Sequence, residues 1–353
     1  MAQASDDDRH GTAIRTTGIG SMPGRDAEEA TRIVVGELVV PHVAELPARG
    51  PGADLLGRSL ALVRRATGEF AAETTPSGWR LAGGRTGGDE GRQMRRGAGW
   101  LGEDVDRLAQ HLQGFDGVVK VQVAGPWTLA AGLESARGTR LLADPGACAD
   151  LAAALAHAVA EHVAAVARAV PGARVVAQLD EPTLPLVLAG RVRTASGRGA
   201  VRVPGAPELS AALAGVVGAA RGAGAELVIA HCCARTVPFA LLRGAGVAAV
   251  SVDLTILGDR ADEDLGAWWD AGGQVLLGVA PSLDPDAAAL PGLPDALARQ
   301  VDALWRRIGF GAADVAERTW LTPTCGLAGA SPGWARSVGG VLRQAAGMLE
   351  SAA

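Results

Sequence analysis

The chain alternates short runs of apolar, often β-branched residues with longer stretches rich in alanine and leucine. This alternation is typical of strands joined by helices, and therefore of a parallel sheet. Eight runs have the length and composition of strands: 13–18, 39–46, 118–124, 174–180, 226–232, 247–254, 274–279 and 319–324. Nine stretches predict helices: 27–38, 53–67, 105–112, 145–170, 206–223, 237–243, 263–271, 285–308 and 331–351. The fold that this order predicts is α/β, a (β/α)8 TIM barrel in a single domain.

The regularity is interrupted between the second and third predicted strands. Residues 68–117 predict an inserted excursion, and its glycine- and arginine-rich part, 83–97, predicts a mobile loop or a small subdomain. Outside this insertion, residues 12–353 predict the barrel and residues 1–11 a flexible N-terminus.

Composition narrows the classes of function. The net charge is −5 and the arginines are scattered among acids, which argues against a nucleic-acid partner. No uncharged span of 18 residues exists, so we expect no membrane helix. The polar, acidic N-terminus does not have the pattern of a signal peptide, and a cytoplasmic location is expected. The four cysteines of such a chain are typical of metal ligands or free thiols rather than of a disulfide framework.

Several predicted strands carry polar residues on one face and apolar residues on the other. Lys120 and Gln122 share one face of the third strand, and Gln178 and Asp180 share one face of the fourth. A barrel with helices outside would hold these polar side chains in its interior. Polar residues at the carboxyl ends of the strands lie where barrels keep their catalytic residues.

Four possible metal ligands end three different strands. His231 and Cys233 are two residues apart at the end of the fifth strand, Asp253 ends the sixth, and Cys325 ends the eighth. A His, two Cys and an Asp form a ligand set that suits Zn²⁺. The alternative is a pair of buried reduced cysteines beside a strand-end histidine, and a water or substrate atom could also replace Asp253. Cys232 is expected to point away, toward the helix layer.

The order of the short motifs resembles that of a known family. These motifs are TTGIGSMP at 16–23, VAGPWT at 123–128, QLDEPTL at 178–184, HCC at 231–233 and CGL at 325–327. Together they resemble the C-terminal catalytic barrel of cobalamin-independent methionine synthase, in a short form that spans about residues 12–350. The resemblance implies transfer of a methyl group to the thiol of homocysteine.

The resemblance also implies roles for individual residues. The zinc ligands of the family are His, Cys, an acidic residue and Cys, and these roles fall on His231, Cys233, Asp253 and Cys325. The family has Glu at the acidic position, so the aspartate here is a departure. Bound zinc would convert the substrate thiol, whose pKa is ordinarily ~8.5, into a thiolate.

The amino-acid end of homocysteine needs its own partners. By resemblance, Ile19 and Ser21 would supply donors to its carboxylate, while Glu45 and Asp180 would face its ammonium group. Asp180 is also the predicted catalytic residue. Trp127 follows a Gly-Pro pair and could stack against a flat methyl donor, with packing of a loop as the alternative.

The methyl donor stays open between two classes. The family places a histidine after the seventh strand, which is thought to help protonate the leaving folate, but the matching run 277–282 contains none. Either methyltetrahydrofolate or a methylated corrinoid protein therefore remains a candidate donor. Alternative functions are methyl transfer to another small thiol, a non-catalytic zinc- or thiol-binding barrel, or a decarboxylase of the porphyrin type, which would not need Cys325.

Overall fold

The computed structural model describes residues 14–83, 91–194, 197–258, 260–311 and 316–352. Its helices and strands, in chain order, are β1 (Arg15–Thr16), α1 (Ala27–Glu37), α2 (Leu55–Thr67), β2 (Ala72–Thr75), β3 (Gly78–Leu81), α3 (Arg92–His111), β4 (Val118–Ala124), α4 (Pro126–Gly132), β5 (Leu133–Glu134), α5 (Pro145–Ala169), β6 (Arg174–Asp180), α6 (Leu184–Leu188), α7 (Ala206–Gly222), β7 (Leu227–Cys232), α8 (Phe239–Gly244), β8 (Ala249–Asp253), α9 (Ala261–Asp270), β9 (Gln274–Ala280), α10 (Leu293–Arg307), β10 (Thr319–Pro323) and α11 (Pro332–Ser351).

The main sheet is parallel, curled and TIM-barrel-like. Its seven strands lie in the order β1-β10-β9-β8-β7-β6-β4. Seven of the eight predicted strands are therefore present, and the helices that connect them pack on the outer face. The predicted alternation of strands and helices is confirmed in this form.

The prediction of a regular second strand at 39–46 is wrong. This segment joins the two edge strands only through isolated bridges, Thr17 to Val40 on one side and His42 to Lys120 on the other. Pro41 lacks a backbone N–H, so the segment cannot donate the regular series of hydrogen bonds of a strand. Its carbonyl still accepts from the Lys120 N–H at 2.8 Å. The sheet thus has seven regular strands rather than eight, and no regular strand closes the predicted (β/α)8 barrel between β1 and β4.

The excursion after α2 contains more structure than the sequence indicated. β2 and β3 form an antiparallel hairpin, and β3 also pairs with β5 in parallel. Residues 92–97 of the predicted mobile loop form the first turns of α3, in which the backbone of Gly97 comes close to Gly52. Residues 84–90 of that predicted loop lie outside the described residues, as does the predicted flexible N-terminus, 1–11.

Two helices begin directly after a side chain that caps their first turn. The Asp26 carboxylate accepts from the backbone N–H groups of the first turn of α1, and the Ser331 hydroxyl caps α11 in the same way. The helix predicted to begin at residue 285 begins at Leu293. Pro291 and Pro294 cause this difference, because proline is tolerated in the first turn of a helix but not in its interior.

The interior of the sheet changes from apolar to polar along the strands. Near their amino ends, inward side chains such as Val118, Val176 and Trp320 form a small apolar cluster of their own. Two residues further along, β4 and β6 present Lys120 and Gln178, which are fully buried. Outward side chains belong instead to the large core between sheet and helices. The face alternation predicted from the sequence is confirmed.

Helix α5 is long and apolar enough, by length and composition, to cross a membrane. Half of its most apolar stretch of 18 residues is buried inside the fold, and the helix packs against α2 and α7. This burial is typical of a core helix.

The buried face of α5 carries the imidazole of His162. Both ring nitrogens of His162 are without a hydrogen-bond partner among the described residues. Desolvation, reinforced by Arg58 and Arg65, lowers the pKa of His162 to about 3. The imidazole is therefore neutral in the folded protein at neutral pH, whereas it can take up a proton below pH ~6.5 when the chain is unfolded.

We expect the variant His162→Leu to be less sensitive to acid than the wild type. The unfolded state binds the proton that the folded state refuses, so stability falls as the pH drops from ~6.5 toward 3. At pH 5 the loss from this group amounts to about 2 kcal/mol. Urea unfolding at pH 7.5 and pH 5 measures the difference. Val163→Ala, a buried apolar change on the same helix, should lower stability at both pH values and keep the wild-type pH dependence. An unchanged pH dependence in His162→Leu would contradict this account.

Candidate metal and substrate site

Three of the four predicted metal ligands meet at the carboxyl ends of the strands. The ligand atoms of His231, Cys233 and Cys325 all lie within 4.8 Å of one another. The two sulfurs are 3.9 Å apart, too far for a disulfide, and both cysteines are free. Two sulfurs bound to one tetrahedral zinc ion at ~2.3 Å would lie about 3.8 Å apart. The group therefore has the chemistry and the spacing of a zinc site.

The imidazole of His231 is held in a defined orientation. Its Nδ1 contacts the Ser251 hydroxyl at 2.9 Å, across the β7–β8 register in which the two residues are paired. Its Nε2 is buried and has no hydrogen-bond partner among the described residues. A buried ring nitrogen without a partner is costly unless a ligand completes it. A hydrogen bond that fixes the second nitrogen is typical of metal-binding histidines.

The two thiols interact strongly with each other. The contact with the Cys233 thiol, together with the nearby imidazole of His231, lowers the pKa of Cys325 to about 4. The same contact and burial raise the pKa of Cys233. Cys325 is thus disposed to be a thiolate, the form that binds metals. Cys232 lies in the outer core instead, as predicted.

Asp253 ends β8 as predicted but is not in this group of three. Its Oδ1 accepts hydrogen bonds from the Thr255 N–H at 2.9 Å and from the Thr255 hydroxyl at 2.5 Å. In this arrangement the carboxylate stabilises the turn after the strand. A role for Asp253 as a metal ligand stays a prediction.

Asp180 lies on the strand next to His231 and belongs to a buried polar chain. The two residues are paired in the β6–β7 register. Gln178 donates from Nε2 to Asp180 Oδ1 at 2.7 Å, and its Oε1 accepts from Lys120 Nζ at 2.7 Å. Burial raises the pKa of Asp180 and lowers that of Lys120, while the opposite charges partly offset both shifts. This chain fixes the orientation of the carboxylate.

Sequence reasoning placed Lys120 and Gln178 on the inner face but gave neither a role. Lys120 is the only lysine in the chain, and it lies in an otherwise apolar strand run. The signal in the sequence was a single lysine at an inward position of a strand. It indicates polar partners nearby, because a charge is rarely buried without them.

Glu45 is the second buried carboxylate of the interior. Its Oε1 has no hydrogen-bond partner among the described residues and lies 3.5 Å from the Nε of Arg58, a buried residue of α2. Arg58 also lies 3.8 Å from Asp104 of α3, which binds Arg49 at 2.9 Å. A buried series of alternating charges therefore runs from the excursion helix to the interior of the sheet.

Ser21 and Ile19 lie on the loop after β1, and Ser21 lies against Gly326. Ser21 is bridged to Glu45, and its carbonyl accepts from the Leu327 N–H at 2.8 Å. The Ile19 carbonyl accepts from Lys120 Nζ at 2.7 Å and from Gln178 Nε2 at 2.9 Å. The Ile19 carbonyl thus acts as an acceptor for the buried polar chain. Donation by Ile19 and Ser21 to a substrate carboxylate stays a prediction.

Trp127 lies in the core next to this site. Its indole is 2% exposed and donates from Nε1 to the Leu209 carbonyl of α7 at 2.9 Å. Its backbone N–H and that of Thr128 donate to the Glu181 carboxylate, which is buried at the start of α4. These contacts are those of a residue that packs in the core, which was the alternative role for Trp127 in the sequence. Contact of Trp127 with a methyl donor stays a prediction.

Comparison with known proteins supports the fold. No protein-family model and no curated protein matches the chain. A solved B12-independent methionine synthase from Shewanella sp. W3-18-1, in complex with selenomethionine, aligns over 96% of this chain and 98% of its own, with a TM-score of 0.57 and 13% sequence identity. Pyruvate carboxylase from Rhizobium etli covers 70% of this chain at a TM-score of 0.26, which is too low to indicate a shared fold.

The comparison with the solved methionine synthase concerns the fold alone. The chain has the fold of a B12-independent methionine synthase over almost its full length. It also carries a His/Cys/Cys group at the carboxyl ends of its strands. The resemblance predicted from the sequence is thereby confirmed at the level of the fold.

Proposed function

We propose that this protein is a zinc-dependent methyltransferase that methylates the thiol of homocysteine to give methionine. The observation that carries the proposal is the group of His231, Cys233 and Cys325, together with the orphaned Nε2 of the histidine. In this proposal residues 12–353 act as one catalytic unit with 68–117 as an insertion.

The metal fits the residues that are present. His231, Cys233 and Cys325 would hold zinc, and three protein ligands with one open position are typical of catalytic rather than structural zinc sites. Bound zinc would lower the pKa of the substrate thiol, so that its sulfur is a nucleophilic thiolate at neutral pH. Ser251 keeps the His231 ring oriented for this role.

The buried carboxylates provide the second half of the site. Asp180 and Glu45 would receive the ammonium group of homocysteine, whose charge offsets the two buried negative charges. Lys120 and Gln178 hold Asp180 in place, and Arg58 holds Glu45. Holding the ammonium group in this way would leave the thiol directed at the metal group, which is the condition for in-line attack on a methyl carbon.

The methyl donor is either methyltetrahydrofolate or a methylated corrinoid protein. A methyl-transfer assay on zinc-loaded protein with homocysteine, offering methyltetrahydrofolate and methylcobalamin side by side, tests the proposal. Methionine formation with either donor supports it. Protein that binds zinc but forms no methionine with either donor would contradict it.

We expect Arg58→Gln to lower both stability and homocysteine affinity. The change removes the buried cation between Glu45 and Asp104 and leaves two buried carboxylates with fewer partners. Breaking such a buried ion pair costs about 3 kcal/mol of unfolding free energy. Urea unfolding and homocysteine titration measure the two effects.

The matched control for this variant is Arg65→Gln, an exposed change on the same helix, which should alter stability by less than ~0.5 kcal/mol. Arg58→Lys keeps the charge and should recover part of both losses. Equal stability and affinity in Arg58→Gln and Arg65→Gln would refute the role of Arg58.

A further inference from the structure

The single lysine of the chain, Lys120, is fully buried in the interior of the sheet and has no carboxylate in direct contact. Within the described part of the chain its Nζ donates to two oxygens, the Ile19 carbonyl and Gln178 Oε1, each at 2.7 Å. Both acceptors are uncharged. A buried ammonium group is costly when no opposite charge contacts it, because the lost hydration is not replaced. The position of Lys120 therefore calls for a role beyond packing.

The charges around Lys120 balance one another before a substrate arrives. Burial lowers the pKa of Lys120, while the carboxylates of Asp180 and Glu45 raise it. The hydrogen bond that Asp180 accepts from Gln178 favours its ionised form. With the guanidinium of Arg58 as the second cation, two positive and two negative charges leave this part of the interior neutral.

The other titratable groups packed against this region do not change the balance. Burial, reinforced by Lys120, lowers the pKa of His42 to about 3, and His162 of α5 is neutral for a similar reason. Asp104, which also faces Arg58, has its own partner in Arg49 at 2.9 Å.

An amino-acid substrate would upset this balance. Under the proposed function its ammonium group lies beside Asp180 and Glu45 and adds one positive charge to a buried region that was neutral. Like charges repel strongly where water is excluded. Arg58 keeps its charge, because a guanidinium does not lose its proton in proteins. Lys120 is the remaining cation of this group, and it is the one that can lose a proton.

The hydrogen bonds of Lys120 suit the neutral amine as well as the ammonium group. An ammonium group has three N–H donors and a neutral amine has two, and Nζ has two acceptors among the described residues. Loss of one proton therefore leaves both hydrogen bonds in place. Gln178 stays fixed and continues to orient Asp180 in either state.

We propose that Lys120 releases a proton to solvent when the ammonium group of the amino-acid substrate binds beside Asp180 and Glu45. The proton leaves Nζ, the electron pair of that N–H bond stays on the nitrogen, and the substrate ammonium replaces the charge that the lysine carried. Placement of the ammonium group rests on the proposed function. Because binding releases a proton, affinity for the amino acid should rise with pH across the titration of Lys120.

The presence of one lysine allows a direct test by NMR. Lysine labelled with carbon-13 at Cε gives one signal, whose chemical shift reports the protonation of Lys120. The probe is L-methionine added to the zinc-loaded full chain, since a thioether has no thiol proton to release. We expect the pH midpoint of the signal to fall by about one unit or more when methionine is bound. Calorimetry in phosphate and in Tris buffer at equal pH should show release of a proton on binding.

Two variants serve as comparisons. Lys120→Met should bind methionine without releasing a proton, and its affinity should not follow the pH dependence of the wild type. Val119→Ala, a buried change on the outward face of the same strand, should release a proton as the wild type does. If Lys120→Met does not fold, the signal of the wild type decides the question by itself.

A pH midpoint that does not move when methionine binds would overturn the role of Lys120. Proton release with an unchanged lysine signal would also overturn it and would assign the proton to Asp180 instead. Either result leaves the proposed function standing, because methionine is still bound. Failure of the zinc-loaded protein to bind both methionine and homocysteine would contradict the amino-acid site, and with it the proposed function.

Discussion

Cys325→Ala is expected to abolish methyl transfer and to lower zinc affinity on the order of 10³-fold, since it removes one of three protein ligands. The loss should appear both in metal analysis after dialysis and in the methionine-forming assay. The sulfur lies 3.9 Å from that of Cys233 and within 4.8 Å of a ring nitrogen of His231, and no other thiol among the described residues shares this position.

Cys232→Ala is the matched control for this experiment. Cys232 lies beside Cys233 in sequence, but its side chain is buried in the outer core. Its removal should cost about 1 kcal/mol of stability and leave zinc content unchanged. Zinc binding in Cys325→Ala equal to that in Cys232→Ala would contradict the assignment. It would also revive the alternatives that do not need Cys325.

Asp180→Asn should weaken homocysteine binding about 10²-fold while zinc content stays at the wild-type level. The change keeps the shape of the side chain but removes the charge that we assign to the substrate ammonium. Loss of one partner of a buried charge pair costs about 3 kcal/mol. Titration of zinc-loaded protein with homocysteine measures the effect. Asp295→Asn, an exposed change on α10, is the matched control and should leave affinity unchanged. A dissociation constant within twofold of the control would exclude Asp180 from the substrate site.

Much of the fold could be predicted because its signals are local. Alternation of inward and outward residues identified the inner faces of β4 and β6, and the carboxyl ends of β7 and β10 brought His231 and Cys325 together. The second strand could not be predicted correctly from its apolar composition, because the missing N–H of Pro41 outweighs the strand propensity of its neighbours.

The missed parts of the site depend on contacts between distant segments. Arg58 and Asp104 were not predicted, because they come from different parts of the chain than the predicted Glu45 and no periodicity connects the three. Ser251 contacts His231 only because β7 and β8 are neighbours in register. Such pairings follow from the assembled fold and have no sequence signal of their own.

X-ray absorption spectroscopy at the zinc edge, with and without homocysteine, tests the metal site directly. We expect two sulfur ligands and one histidine nitrogen from the protein, and one further sulfur when homocysteine is added. A sulfur count that does not change with homocysteine, or a zinc ion bound without the sulfurs of Cys233 and Cys325, would contradict it.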